Sequence, residues 1–221
     1  MFTNEPAVTR SGESALATNK VIRNTYTLLS MTLVFSALMA AVSVSMNLSS
    51  TVSMVCFFGA LGLIFFVLPR TANSGSGIFV IFAFTGLLGL GLGPMLNQYL
   101  AMNNGSQLVG TALGGTGIIF LALSGYALTT RKDFSFLGGF LMVGMFVILA
   151  AILANIFLEI PALSLAISAV VIMLMSGFIL FDTSRIINGG ETNYLMATAS
   201  LYLSIYNIFI HLLNILGFAN D

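Results

Sequence analysis

The sequence predicts an all-α membrane protein of seven transmembrane helices, and three observations carry that reading. Apolar residues make up 58% of the 221 and charged residues only 6%, with a mean hydropathy of +1.05, a balance that leaves too little polar surface for a water-soluble globule. Seven apolar runs of about 20 residues, the length that crosses bilayer hydrocarbon, fill the chain and leave nothing for a separate soluble domain. The basic residues, finally, all fall on one side of the map that these runs define.

Taken in order, residues 1–25 contain Glu5, Pro6, Arg10, Gly12, Glu13, Lys20 and Arg23 and show no periodic apolar face, so they read as a flexible tail. A signal peptide would place a short apolar core near its start, whereas the first run begins near Tyr26 and is a full span long; it is expected to be a retained anchor. Spans are predicted at 26–46, 52–68, 78–100, 107–129, 136–158, 162–182 and 195–217, so that residues 26–221 form one transmembrane domain. In the third, Gly86, Gly89, Gly91 and Gly93 precede Pro94, which should kink the helix. Gly110, Gly114, Gly115 and Gly117 open the fourth. A phosphate-cradling reading fails for want of a strand, a solvated helix N-terminus and a Lys partner. The spacing of four in Gly89/Gly93 and Gly110/Gly114 instead suits close helix packing in lipid. The fifth span ends near Glu159, in a turn before Pro161, and the sixth closes at Asp182.

Arg10, Lys20, Arg23, Arg70, Arg131, Lys132 and Arg185 lie in the tail or in the second, fourth and sixth loops, while the other side carries only Glu159 and Asp221. The positive-inside rule then predicts a cytoplasmic N-terminus and an external C-terminus. A net charge of zero argues against nucleic acid as a partner, and the lone Cys56 offers neither a disulfide framework nor a thiolate metal site.

The last span concentrates the chemistry. Ser200, Ser204, Asn207, His211 and Asn214 recur at steps of four and three, which puts them on one stripe of an otherwise apolar helix. Lipid satisfies none of their donors or acceptors, so the stripe must face protein, water or an ion path, and its helix is the natural centre of a bundle. Asp182 has two readings: a helix-end acid paired one turn on with Arg185, or a pH-sensing gate. The helix C-terminus and desolvation disfavour its anion, and Arg70 or Arg185 favours it. His211 reads first as a hydrogen-bonded packing residue, since its stripe neighbours are amides and hydroxyls that do not complete a metal site. No Ser-His-Asp set, carboxylate pair or metalloprotease motif is visible, so no enzyme, cofactor or metal is expected.

Nearly the whole chain resembles the Bax inhibitor family of seven-span membrane proteins, specifically its YccA-like bacterial branch. The resemblance rests on KVIRNTY from Lys20 to Tyr26, FAFTG from Phe82 through Gly93 and Pro94, LTTRKDFSFLGG from Leu128 to Gly139, and ANIF from Ala154 to Phe157. It continues with Phe181-Asp182-Thr183 and with GGETNY from Gly189 to Tyr194, running on through LYLSIYNIF from Leu201 to Phe209. The resemblance implies a central seventh helix wrapped by the other six. Better-studied members are described as pH-sensitive calcium leaks, in which an acid ending the sixth span pairs with one in the seventh and an arginine near the second latches the path. Asp182 matches the first acid and Arg70 is the positional candidate for the latch, but Ser204 stands where that pattern has the second acid, which removes the shared-proton pair.

The YccA-like branch is associated instead with the inner-membrane AAA protease FtsH, as substrate and as modulator of its action on other membrane proteins. The resemblance therefore implies a non-enzymatic, multi-pass inner-membrane modulator (inhibitor) of FtsH, with a periplasmic C-terminus and with the protease and its membrane-associated regulators as partners. The alternative is a pH-sensitive calcium or cation leak gated by Asp182, with calcium or protons as the species moved.

Overall fold

The computed structural model describes residues 7–220, with side chains from Leu16 onward. Among these described residues, seven helices are long and apolar enough to cross a membrane. They are α1 (Ala7–Ser45, with its apolar window at Leu16–Ser45), α2 (Ser50–Thr71), α3 (Gly77–Leu100), α4 (Gly105–Thr130), α5 (Leu137–Leu158), α6 (Pro161–Ile187) and α7 (Tyr194–Phe218). No strand occurs among the described residues.

Two boundaries differ most from expectation. Residues 7–25, expected as part of a flexible tail, continue the helix of the first span; residues 1–6 lie outside the described residues. Beyond Gly12 no glycine or proline interrupts the run, and Ala15, Leu16, Ala17 and Lys20 are strong helix formers. At the other end, α6 runs past 182 to Ile187, so Asp182 lies inside the helix and is not its cap. The extra turn holds because Ser184 and Ile186 are buried, Ser184 among the backbone groups of the loop that follows α4.

The prolines show how backbone groups are satisfied where lipid cannot help. Before Pro69, α2 loosens into a single π-helical stretch, Leu63–Val67, whose wider ring accommodates the missing N–H. In α3, Pro94 leaves the Leu90 carbonyl without its helical donor, and Ser43 of α1 donates its hydroxyl there at 2.7 Å. Pro161 opens α6 at a position where no N–H is needed, after an extended Ile160, with Glu159 exposed at the C-cap of α5.

α7 packs against α1, α3, α4 and α6, while α2 lies chiefly on α3 and α5 on α6. Its close neighbours are thus four helices, where wrapping by all six was expected. α1 and α3 run parallel and form the most extensive helix pair, with Phe35 at Gly86, Ser36 at Gly89 and Ser43 at Gly93. At Gly89 an added Cβ would strike the Ser36 carbonyl, a backbone atom. Three glycines of α4 behave differently: among the described residues Gly110, Gly114 and Gly117 meet nothing within 4 Å. The close packing expected of Gly89 and Gly93 is therefore present, and that expected of Gly110 and Gly114 is not made among the described residues.

This contrast sets a stability order. Gly89→Ala should destabilise the bundle by about 1–3 kcal/mol through overpacking, whereas Gly114→Ala should be neutral or stabilising by up to about 1 kcal/mol through helix propensity. Thermal unfolding of the two variants in detergent micelles checks the order.

Candidate functional site

The polar residues of α7 do not form one continuous stripe of contacts; those that bond α6 lie toward its two ends, Ser200 at one and His211 and Asn214 at the other. Near the end that carries the basic residues, Asp182 is 6% exposed and its Oδ2 accepts a hydrogen bond from Ser200 Oγ at 2.5 Å. Asp182, Thr183 and Ser184 are consecutive, buried and turned to different neighbours. Asp182 faces α7. Thr183 Oγ1 lies 3.3 Å from the Tyr26 hydroxyl of α1, which also bonds Ser124 of α4. Ser184 accepts from the Phe134 N–H at 2.9 Å and from the Asn188 amide, and donates to the Lys132 carbonyl. One turn of α6 thus ties together α1, α4, α7 and the loop between α4 and α5, because each hydroxyl or carboxyl has to find a protein partner in lipid.

The arginines expected beside Asp182 are occupied elsewhere. Arg185 pairs with Glu191 at 3.6 Å, donates to the Gly190 carbonyl and lies over the Phe181 ring. Arg70 is exposed and folds back onto the Phe66 carbonyl at 3.1 Å. Neither forms an ion pair with Asp182 among the described residues. Asn193, at the start of α7, was absent from the sequence reading of the site. It caps α7 by accepting from the N–H groups of Leu195 and Met196 and donates across to Ala72 O and Asn73 after α2.

At the far end of α7, His211 Nδ1 lies 3.0 Å from Ser168 Oγ, and Ser168 donates to Asn214 Oδ1 at 3.4 Å. Ser168 was missed from the sequence, although its spacing of four from Ser164 on α6 was a usable signal. Beside this cluster a cavity of about 250 Å³ opens between α3, α6 and α7, lined by Gln98, Ser164 and Asn214 among others. Ser168 itself is 2% exposed, and no carboxylate among the described residues orients His211, so the pair lacks the access and the third group of a hydrolytic triad. Between the two ends Ser204 is buried and the Asn207 amide turns back to the Leu203 carbonyl at 2.8 Å.

α7 also carries a second polar row that the sequence reading passed over. The Tyr202 hydroxyl lies 2.5 Å from Ser36 Oγ and 3.3 Å from the Thr85 carbonyl, joining α7 to α1 and α3. Beside it, an apolar groove of about 560 Å³ opens between α1 and α4, with Tyr206 and Phe209 in its wall.

The chain is similar to known membrane proteins. Residues 18–221 match the family model described as inhibitor of apoptosis-promoting Bax1. The chain is 56% identical over 207 residues, 94% of each chain, to the Escherichia coli (strain K12) protein named Modulator of FtsH protease YccA. An E. coli O6:H1 relative, equally similar, is named Inner membrane protein YccA. A Vibrio cholerae relative, an uncharacterized membrane protein, is 51% identical over 99% of both chains.

The pair at Asp182 can be graded by mutation. Ser200→Ala deprives a buried carboxyl of its hydroxyl donor and should cost about 1.5–3 kcal/mol. Asp182→Asn keeps an acceptor oxygen for Ser200 and should cost less. Unfolding of both variants in mixed micelles measures the difference.

Proposed function

The chain belongs to the Bax inhibitor family of membrane proteins, and from that premise we propose that it is a non-enzymatic substrate and inhibitory modulator of the membrane AAA protease FtsH. The observation that carries this reading is the identity of 56%, over 94% of both chains, with the E. coli protein named as a modulator of that protease. The proposed location is the cell inner membrane, with the basic end of the bundle in the cytoplasm as the positive-inside rule requires.

The physical account has two parts. A protease that pulls on its substrates needs an end to grip, and the segment before Leu16 precedes the apolar window of α1 on the proposed cytoplasmic side. Behind it stands a helix that is hard to remove. α1 packs along α3 with glycine-to-backbone contacts and along α7 through Ser36 and Tyr202. Extracting α1 therefore strips the longest interface of the bundle and leaves the Leu90 carbonyl without Ser43. A substrate that engages readily and unravels slowly holds the enzyme, and by mass action lowers the turnover of competing substrates.

The ion-leak reading gains no comparable observation. Ser204 supplies no second carboxylate, and Arg70, the candidate latch, folds back onto the Phe66 carbonyl.

Deleting the residues before Leu16 should leave the seven helices inserted, slow degradation by the protease and deepen inhibition of a second membrane substrate if the helices still bind. The check is a chase of full-length and shortened protein in membranes with and without the protease, following both substrates. Equal lifetimes with no change in the second substrate would remove the modulator reading.

A further inference from the structure

The basic end of the bundle holds a cleft that neither the Asp182 cluster nor the protease reading uses. A cavity of about 140 Å³ lies between α1, α4 and α6, lined by Thr18, Asn19, Ile22, Leu128, Arg131 and Ile187. Its lining has two characters. Ile22, Leu128 and Ile187 are apolar, while Thr18, Asn19 and Arg131 bring a hydroxyl, an amide and a guanidinium. The cleft sits where α4 and α6 end and the apolar window of α1 begins, and spans of this length place such ends at the level of the lipid headgroups.

Arg131 is placed with unusual care. It follows α4 at a left-handed φ of 51°, a position that helices usually give to glycine or asparagine. The loop behind it is pinned by Ser184, which donates to the Lys132 carbonyl and accepts from Phe134 N–H. Among the described residues Arg131 has no carboxylate within ion-pair distance, since the ion pair there is Arg185 with Glu191. Asp133, the acid in the same loop, accepts from the Ser135 N–H at 2.8 Å. That bond holds its carboxyl below the ordinary carboxylate range and commits it to its own turn. Lys20, Arg23 and Lys132 are exposed close by in sequence, so the local charge is positive.

We propose that this cleft binds the phosphate-bearing headgroup of an anionic phospholipid, with Arg131 as charge partner, Thr18 and Asn19 as hydrogen-bond donors, and the apolar residues against the first acyl methylenes. A phosphate diester matches a guanidinium and short polar donors, and the apolar floor distinguishes a lipid from a free anion.

The test is lipid retention by the purified full chain in native mass spectrometry, with dioleoylphosphatidylglycerol against dioleoylphosphatidylcholine as probes. Wild type should retain the anionic lipid preferentially. Arg131→Gln should weaken that retention about tenfold, the worth of one charge-assisted hydrogen bond to the phosphate, and Arg131→Lys should keep much of it. Arg70→Gln removes the same charge from α2, outside the cleft, and should change nothing. Equal retention by wild type and Arg131→Gln would overturn the site, as would an equal loss in Arg70→Gln, which would mean diffuse surface charge. Inorganic phosphate added as a competitor should leave the lipid bound; displacement would assign the cleft to a free anion and overturn the lipid.

Discussion

A hydroxyl, amide or carboxyl placed in hydrocarbon has to find its partner within the protein, and the arrangement of this bundle follows from that requirement. The pairs between α6 and α7 obey one antiparallel register: Asp182 meets Ser200 at one end, and Ser168 meets His211 and Asn214 at the other. A slip of either helix by one turn would break both ends together. Apolar packing against lipid gives no such choice of register, because a leucine is as well solvated by an acyl chain as by another leucine. The polar pairs therefore specify how α7 sits, and the small-residue contacts set how closely its neighbours approach.

Those contacts are concentrated between α1 and α3. Gly86, Gly89 and Gly93 bring α3 against Phe35, Ser36 and Ser43, and the Ser43 hydroxyl repairs the hydrogen bond that Pro94 deletes. The glycine run and the proline in α3 are thus one device: the glycines admit α1 closely enough for its serine to reach the freed carbonyl. A protease pulling on α1 works against this interface first, which is why the proposed role and the packing belong to the same account.

The seven spans were legible because hydropathy and length report directly on crossing a bilayer, and the α7 stripe was legible because its polar residues stand out on an apolar helix. A comparable row on α1, formed by Thr25, Thr32, Ser36 and Ser43, is buried yet went unread, since small hydroxyl residues are cheap in any transmembrane helix and signal nothing until their partners are known. The end of α6 was misplaced for a related reason. Thr183 and Ser184 look like the start of a loop by polarity, but their partners Tyr26, Lys132 and Phe134 come from distant parts of the chain. The partners of Arg185 were equally unreadable, because its pairing with Glu191 depends on the turn made after α6. Gly110 and Gly114 show the limit of spacing as evidence: the same interval that packs in α3 faces open space in α4.

The central claim, that α6 and α7 hold one antiparallel register with Asp182 beside Ser200 and Ser168 beside His211, is tested most directly by cysteine crosslinking in native membranes with Cys56 replaced by serine. Ser168→Cys with His211→Cys, and separately Asp182→Cys with Ser200→Cys, should each form a disulfide in high yield on mild oxidation. Pairs offset by one turn, such as Ser164→Cys with His211→Cys, should form little. Efficient crosslinking of the offset pair, or none at the two predicted pairs, would contradict the register on which the account rests.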